Sequence, residues 1–188
     1  MRRASVLALV LVLAAPATAG ALSRRLLVNG DSLAVGTKPY LPRELDGWKV
    51  TQSATISRHA YEGADVMRSY GRSLPRVIHV SLGTNDDPRT VGAFRAAIRD
   101  VMKVAGARRC VVWTNIVRPP VAGASYAGYN RALAREASRR ENLRIVNWVR
   151  MVREHPEWVG PDGVHVDAKG YVARAKAVAR DVKRCRGA

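Results

Sequence analysis

Leu26-Leu27-Val28-Asn29-Gly30-Asp31-Ser32 is the stretch from which the rest of the chain is read. Three consecutive apolar residues fit a strand covered on both faces. Gly30 permits a tight turn, and Asp31 and Ser32 are residue types that open helices. A strand running into a helix through such a turn is the first half of a βα unit. A serine at that junction lies among unpaired backbone N–H groups at the positive end of a helix dipole, which together stabilise negative charge near its oxygen. Ser32 is therefore a candidate nucleophile, although Asp and Ser at a strand-helix junction are also ordinary cap and turn residues.

Moving outward, the same alternation continues. Short runs rich in Val, Ile and Leu predict strands at 26–28, 48–51, 77–82, 110–115 and 143–147. Between them, apolar residues at spacings of three and four predict helices: Val91, Phe94, Ile98, Val101 and Met102 within 90–105, and a second helix over 126–140. Asp167 is placed to cap a last helix over 168–185, with Tyr171, Ala175, Val178, Ala179 and Val182 on one side. Strand and helix in strict alternation predict an α/β sandwich with a parallel sheet.

The amino-terminal stretch is read separately. Arg2 and Arg3, the apolar run from Ser5 to Ala15 and the small residues Ala17-Thr18-Ala19 predict a secretory signal peptide over residues 1–19, leaving one domain over 20–188. The apolar run falls short of the roughly 18 residues that a membrane span needs. We therefore expect a secreted or wall-associated protein. The formal net charge is +17, from 32 Lys and Arg against 15 Asp and Glu. Such a field favours anionic partners, here surface polymers or acidic glycans. Nucleic acid is not expected, because no aromatic-rich basic stripe accompanies the charge.

Two further segments carry candidate chemistry. Pro161-Asp162-Gly163-Val164-His165 sets a carboxylate three residues before an imidazole, just ahead of the last helix. A turn of this length can let Asp162 hold one ring nitrogen while the other faces a serine, though an Asp-Gly turn beside a surface histidine has the same pattern. Ser81-Leu82-Gly83-Thr84-Asn85-Asp86 lies at the carboxyl end of the third strand, where open α/β sheets gather functional groups. The Asn85 amide could face a developing oxyanion, or the loop could simply cap the next helix. His59, His79 and His155 are read as structural or exposed. No His or Cys cluster has metal-ligand spacing, so neither metal nor cofactor is expected.

Gly30-Asp31-Ser32, Gly83-Thr84-Asn85-Asp86 and Asp162-Gly163-Val164-His165 occur in the order and positions of the SGNH, or GDSL, hydrolase family, which the chain resembles across nearly its full length. The resemblance implies a flavodoxin-like three-layer α/β/α fold with a five-stranded parallel sheet. It also implies a metal-free triad in which Ser32 attacks an ester, His165 takes its proton and Asp162 orients the ring. The oxyanion would meet the backbone of Ser32, the side chain of Asn85 and a backbone donor from the family's second block, where the pattern usually has glycine. Here that stretch is Ala54-Thr55-Ile56-Ser57-Arg58-His59, so Ser57 is expected in the role, with Gly63 as rival.

Asn115-Ile116-Val117-Arg118-Pro119-Pro120, Tyr129-Asn130, Asn147-Trp148 and His155-Pro156-Glu157-Trp158 are similar to features of extracytoplasmic SGNH domains linked to cell-wall O-acetylation. Arg58 and Arg118 are expected as rim contacts for an anionic or glycan substrate. The two cysteines, Cys110 at a strand start and Cys185 at the end of an antiparallel helix, should meet at the face opposite the site and form a disulfide.

The function expected is a serine esterase, a monomer acting on short acyl esters, acetyl in type, of carbohydrates or small alcohols. Alternatives are an O-acetyltransferase acting on cell-wall glycan and a basic wall-binding module without catalysis.

Overall fold

The computed structural model describes residues 24–185, so the proposed signal peptide lies outside the described residues. The sheet has five parallel strands: β1 (Arg25–Gly30), β2 (Lys49–Ala54), β3 (Val77–Ser81), β4 (Cys110–Thr114) and β5 (Leu143–Val146). Their order is β2-β1-β3-β4-β5, with Gly30 in register with Ala54 on one side and Ser81 on the other. Chain direction across the sheet reverses beside β1. The crevice between β1 and β3 is thus the topological switch point, where ligands of such sheets bind.

Side-chain alternation explains the layers. Leu27, Ile78, Val80, Val111 and Trp113 point to one face and meet α3 (Gly63–Ser69), α4 (Val91–Ala105) and α5 (Ala127–Ala137). Leu26, Val28, Val77, Val112 and Val146 point to the other and meet α1 (Ser32–Thr37), α2 (Leu41–Glu44) and α7 (Ala168–Lys183). The result is the three-layer α/β/α sandwich expected. A last short helix, α6 (Trp148–Glu154), follows β5.

The long helices agree with their apolar periodicity to within a few residues. The edge strand β2 extends to Ala54, further than the apolar run alone indicates, because its polar residues Thr51, Gln52 and Ser53 are half-exposed and pair along β1. Asp167 caps α7, accepting from the Gly170 N–H at 2.8 Å. Cys110 and Cys185 form the disulfide at the strand-entry end, with 5.8 Å between their Cα atoms.

Candidate active site

Ser32 is held in place by its neighbours. Asp31 N donates to Ser81 O at 3.0 Å, fixing the end of β1 against β3. The Asp31 carboxylate accepts from Leu33 N at 3.0 Å and so caps α1, which makes Ser32 the first residue of that helix. The turn requires glycine at position 30, where a Cβ would lie 2.4 Å from Ala34 Cβ.

From the far end of the chain, His165 Nε2 lies 2.8 Å from Ser32 Oγ, and His165 Nδ1 lies 2.6 Å from Asp162 Oδ2. The other Asp162 oxygen accepts from the N–H groups of Val164 and His165, each at 3.0 Å. These bonds leave Asp162 unable to swing away. The side-chain bond from His165, followed by the Val164 N–H, holds its carboxyl down at about 2, so it is ionised throughout the physiological range. Gly163 adopts φ +69° against the Pro119 ring, where a Cβ would come within 2.4 Å of Cγ. Pro119 in turn belongs to a loop that Asn130 anchors by bonding both the N–H and the carbonyl of Ile116. A cleft of about 550 Å³ opens beside this turn, lined in part by Trp158, Gly160, Pro161, Asp162 and His165.

Asn85 Nδ2 donates to Arg58 O at 3.2 Å, which uses one of its two N–H bonds and leaves the second for another acceptor. Its loop is tightly held: Tyr126 Oη donates to Asp86 O at 2.8 Å and Tyr129 Oη to Asp87 O at 2.6 Å. The same loop is tied to the segment after β2, since Ala60 N donates to Asp86 Oδ2 at 3.0 Å. In that segment the exposed Ser57 occupies a left-handed conformation, φ +64°, next to the residue that holds Asn85. Gly63 lies elsewhere, packed into the core. Its carbonyl accepts from Asn29 Nδ2 at 2.8 Å, and a Cβ there would meet Leu82 Cδ1 at 2.9 Å.

The two arginines expected at the rim are part-buried and make internal hydrogen bonds. Arg58 binds the carbonyl of Ser53, with Gly30 O at 3.4 Å and Thr55 Oγ1 at 2.9 Å, so its guanidinium closes the carboxyl ends of β1 and β2. Arg118 Nη1 donates to Thr84 O at 2.6 Å and braces the Asn85 loop. Free backbone carbonyls at strand ends and in loops need donors, and a five-donor fork supplies several at once.

Beneath Ser32 lies a polar cluster that pattern reading missed. Arg174 of α7 is fully buried; its Nη2 donates to Ser81 Oγ at 2.9 Å, and its guanidinium lies 5.0 Å over the Trp148 ring. Ser81 Oγ donates in turn to Asp31 Oδ1 at 3.4 Å. Burial pushes the Asp31 carboxyl up and the Arg174 charge pulls it back; burial also lowers Arg174 to about 10. His79, buried two residues before Ser81, is brought down to about 3 by burial and by Arg174, and Thr114 Oγ1 lies 2.8 Å from its Nε2. One signal was present: Arg174 falls on the apolar side of α7, between Tyr171 and Val178, where a solvated arginine does not belong.

No family model matches the chain. A Staphylococcus aureus (strain COL) protein named as a candidate O-acetyltransferase is 27% identical over 167 residues, covering 84% of this chain. The chain spans only 25% of that relative's length. Among solved structures, the catalytic domain of the Streptococcus pneumoniae peptidoglycan O-acetyltransferase A, with a methylsulfonyl adduct, superposes with a TM-score of 0.67 at 22% identity, covering 87% of this chain and 92% of that one. A carbohydrate esterase family 3 structure from Talaromyces cellulolyticus gives 0.72 at 15% identity, covering 86% and 97%. The chain has the SGNH hydrolase fold. Within the SGNH fold, Ser32, Asn85 and the Asp162–His165 turn all lie at the carboxyl edge of the sheet, where the β1–β3 switch opens. Among the described residues no cluster of His, Cys, Asp or Glu is arranged to hold a metal.

Proposed function

We propose that the chain is a serine esterase of the SGNH type, exported by a signal peptide over residues 1–19 and acting on short acyl esters of carbohydrates. The observation that carries this reading is the unbroken chain Ser32 Oγ, His165 and Asp162, at 2.8 and 2.6 Å. Attack by Ser32 Oγ on the ester carbonyl sends the hydroxyl proton to His165 Nε2, while Asp162 accepts from Nδ1–H and orients the ring. His165 then gives that proton to the departing alkoxide, leaving an acyl-Ser32. Water attacks this ester with His165 again as base, and release of the acid restores Ser32. In both tetrahedral states the negative oxygen is received by the N–H of Ser32 at the α1 start, the second Asn85 N–H and the backbone N–H of Ser57.

A second reading is transfer, with a sugar hydroxyl replacing water in the second half. The likeness to proteins named as O-acetyltransferases, over most of this chain, favours it. Both readings share one acyl-enzyme and differ only in which acceptor is positioned.

The test is direct. A fluorophosphonate probe and a series of short aryl esters are presented to the wild type and to Ser32→Ala. The expected result is labelling at Ser32 with ester turnover, both absent in the variant. Adding wall-glycan fragments to an acetyl donor then separates the readings, since transfer predicts acetylated sugar at the expense of free acetate. A wild type that is neither labelled nor active on any ester would leave the wall-binding module in place of the enzyme.

A further inference from the structure

The charge of this protein is not spread evenly over its two ends. All five strands run the same way and α3, α4, α5 and α7 return between them, so strand entries and helix carboxyl ends share the end opposite Ser32. The last turns of α4, α5 and α7 bring Lys103, Arg135, Arg180 and Lys183 toward it. Arg25, Lys49, Arg76 and Arg109 add the strand entries. By contrast, Asp86, Asp87, Asp162 and Asp167 lie at the Ser32 end and offset the cations there, Arg58, Arg89, Arg118 and Lys169.

Complementing helix dipoles accounts for part of this bias, since cations are favoured in a helix's last turn. It does not account for the surplus. Asp181 is shared by Arg144 at 3.8 Å, Arg180 at 3.4 Å and Arg184 at 3.7 Å. Glu136 is likewise shared by Arg95, Arg99 and Arg140. One carboxylate against three guanidiniums leaves each cluster strongly positive. Two clefts of about 550 Å³ flank the disulfide at this end. Arg108, Arg109, Arg144 and Arg184 line one against a single carboxylate, Glu141, while Arg24, Arg43 and Lys183 line the other beside Glu44 and Asp46, so the first is the more strongly positive.

We infer that this end is a docking surface for a linear polymer carrying phosphate charges along its backbone. Guanidinium forks match phosphate oxygens two at a time, and clefts on either side of a covalent crosslink give a chain-like ligand successive footholds. A bilayer is the poorer fit. Of the described residues, the exposed large apolar ones are Val35, Ile56, Tyr61 and Val149, and none of them lines either cleft; half-buried Trp48 is the one aromatic there, too little apolar surface among the described residues for an interfacial anchor. Docked in this way, the protein would hold its Ser32 end away from the polymer and toward neighbouring material.

Arg43, Arg108 and Lys183 are exposed and make no side-chain hydrogen bond or ion pair among the described residues, so reversing their charge leaves the fold's contacts intact. The test measures binding of long-chain inorganic polyphosphate at low and high salt to three proteins. These are the wild type, the triple variant Arg43→Glu/Arg108→Glu/Lys183→Glu, and a control with the same change in net charge at other sites, Arg89→Glu/Arg153→Glu/Lys169→Glu. The expected result is salt-sensitive binding that the first triple weakens by roughly 10-fold or more and the control weakens far less. Equal losses in the two triples would overturn the inference, because net charge and not this surface would then govern binding. So would an absence of polyphosphate binding. Tighter binding of polygalacturonate, or of phosphatidylglycerol vesicles in a manner the first triple abolishes, would overturn it in favour of a polycarboxylate or a membrane. Ester turnover plays no part in the readout, so this inference stands or falls separately from the role of Ser32.

Discussion

Ser32 stands between two carboxylates that the fold treats in opposite ways. Asp162 is half-exposed in a short turn, held near 2 by the His165 ring and the N–H of Val164. Asp31, next to Ser32 in sequence, is wholly buried, pushed up by that burial and held partly in check by Arg174 from the last helix. An exposed carboxylate is fixed cheaply, by a few local hydrogen bonds within one turn, and keeps its charge in water's company. A buried one must be balanced by another buried charge, and the pair is then committed to holding the molecule together. The exposed side of Ser32 is therefore suited to chemistry and the buried side to position.

This contrast can be broken in order of expected effect. Ser32→Ala and His165→Ala should each remove nearly all turnover, on the order of 10⁶-fold, with the double variant losing little more. Asp162→Asn should cost about 10⁴-fold, because the ring remains but in the wrong tautomer. All three should leave the urea midpoint almost unchanged. A large drop in that midpoint would show that the exposed side is structural after all.

The buried side should behave conversely. Arg174→Met strands the Asp31 charge and should lower unfolding stability by about 3–5 kcal/mol, whereas Asp31→Asn, which removes a charge that burial disfavours, should cost less. The double variant should recover much of the loss, because neither charge is then left alone. Additive losses in a double-mutant cycle would show the two residues to be energetically independent.

Asn85 occupies the middle ground, a side chain with one N–H bonded to Arg58 O and one to spare. Asn85→Ala should lower turnover by about 10²–10³-fold with the substrate's KM little altered. Near-normal turnover would reduce Asn85 to a loop brace.

The smallest effect concerns acid. Asp162 is lowered from 3.8 to about 2 on folding, so its contribution is present above pH 3.8 and is lost as pH falls toward 2. Asp31 is raised, so its linkage has the opposite sign: stability declines as pH rises above 3.8, and the charged form is a burden at neutral pH. Comparing urea midpoints across pH 2 to 7 as a rough range, Asp162→Asn should flatten the acid limb slightly, and solvent screening keeps that change small. A steeper acid limb in Asp162→Asn would contradict the assigned sign.

Much of this was legible in the amino-acid sequence. Strand runs, helix periodicity, the Asp167 cap and the alternation of elements are local properties, and they specify a parallel α/β sandwich before any contact is known. The Asp162-Gly163-Val164-His165 turn is equally local, because the bonds that fix Asp162 come from within the turn. What only the tertiary structure decided is where long side chains end. Arg58 and Arg118 read as surface cations, yet strand-end and loop carbonyls brought near by folding claim their donors. Arg174 lies far from Asp31 in the chain and reaches it through Ser81 only because α7 packs across β3, β4 and β5. Ser57 was expected ahead of Gly63 as the backbone donor, and the structure places one in an exposed left-handed turn and the other against Leu82. Flexible side chains are ruled by the nearest unsatisfied partner, and that partner is set by the assembled fold, not by neighbours in sequence.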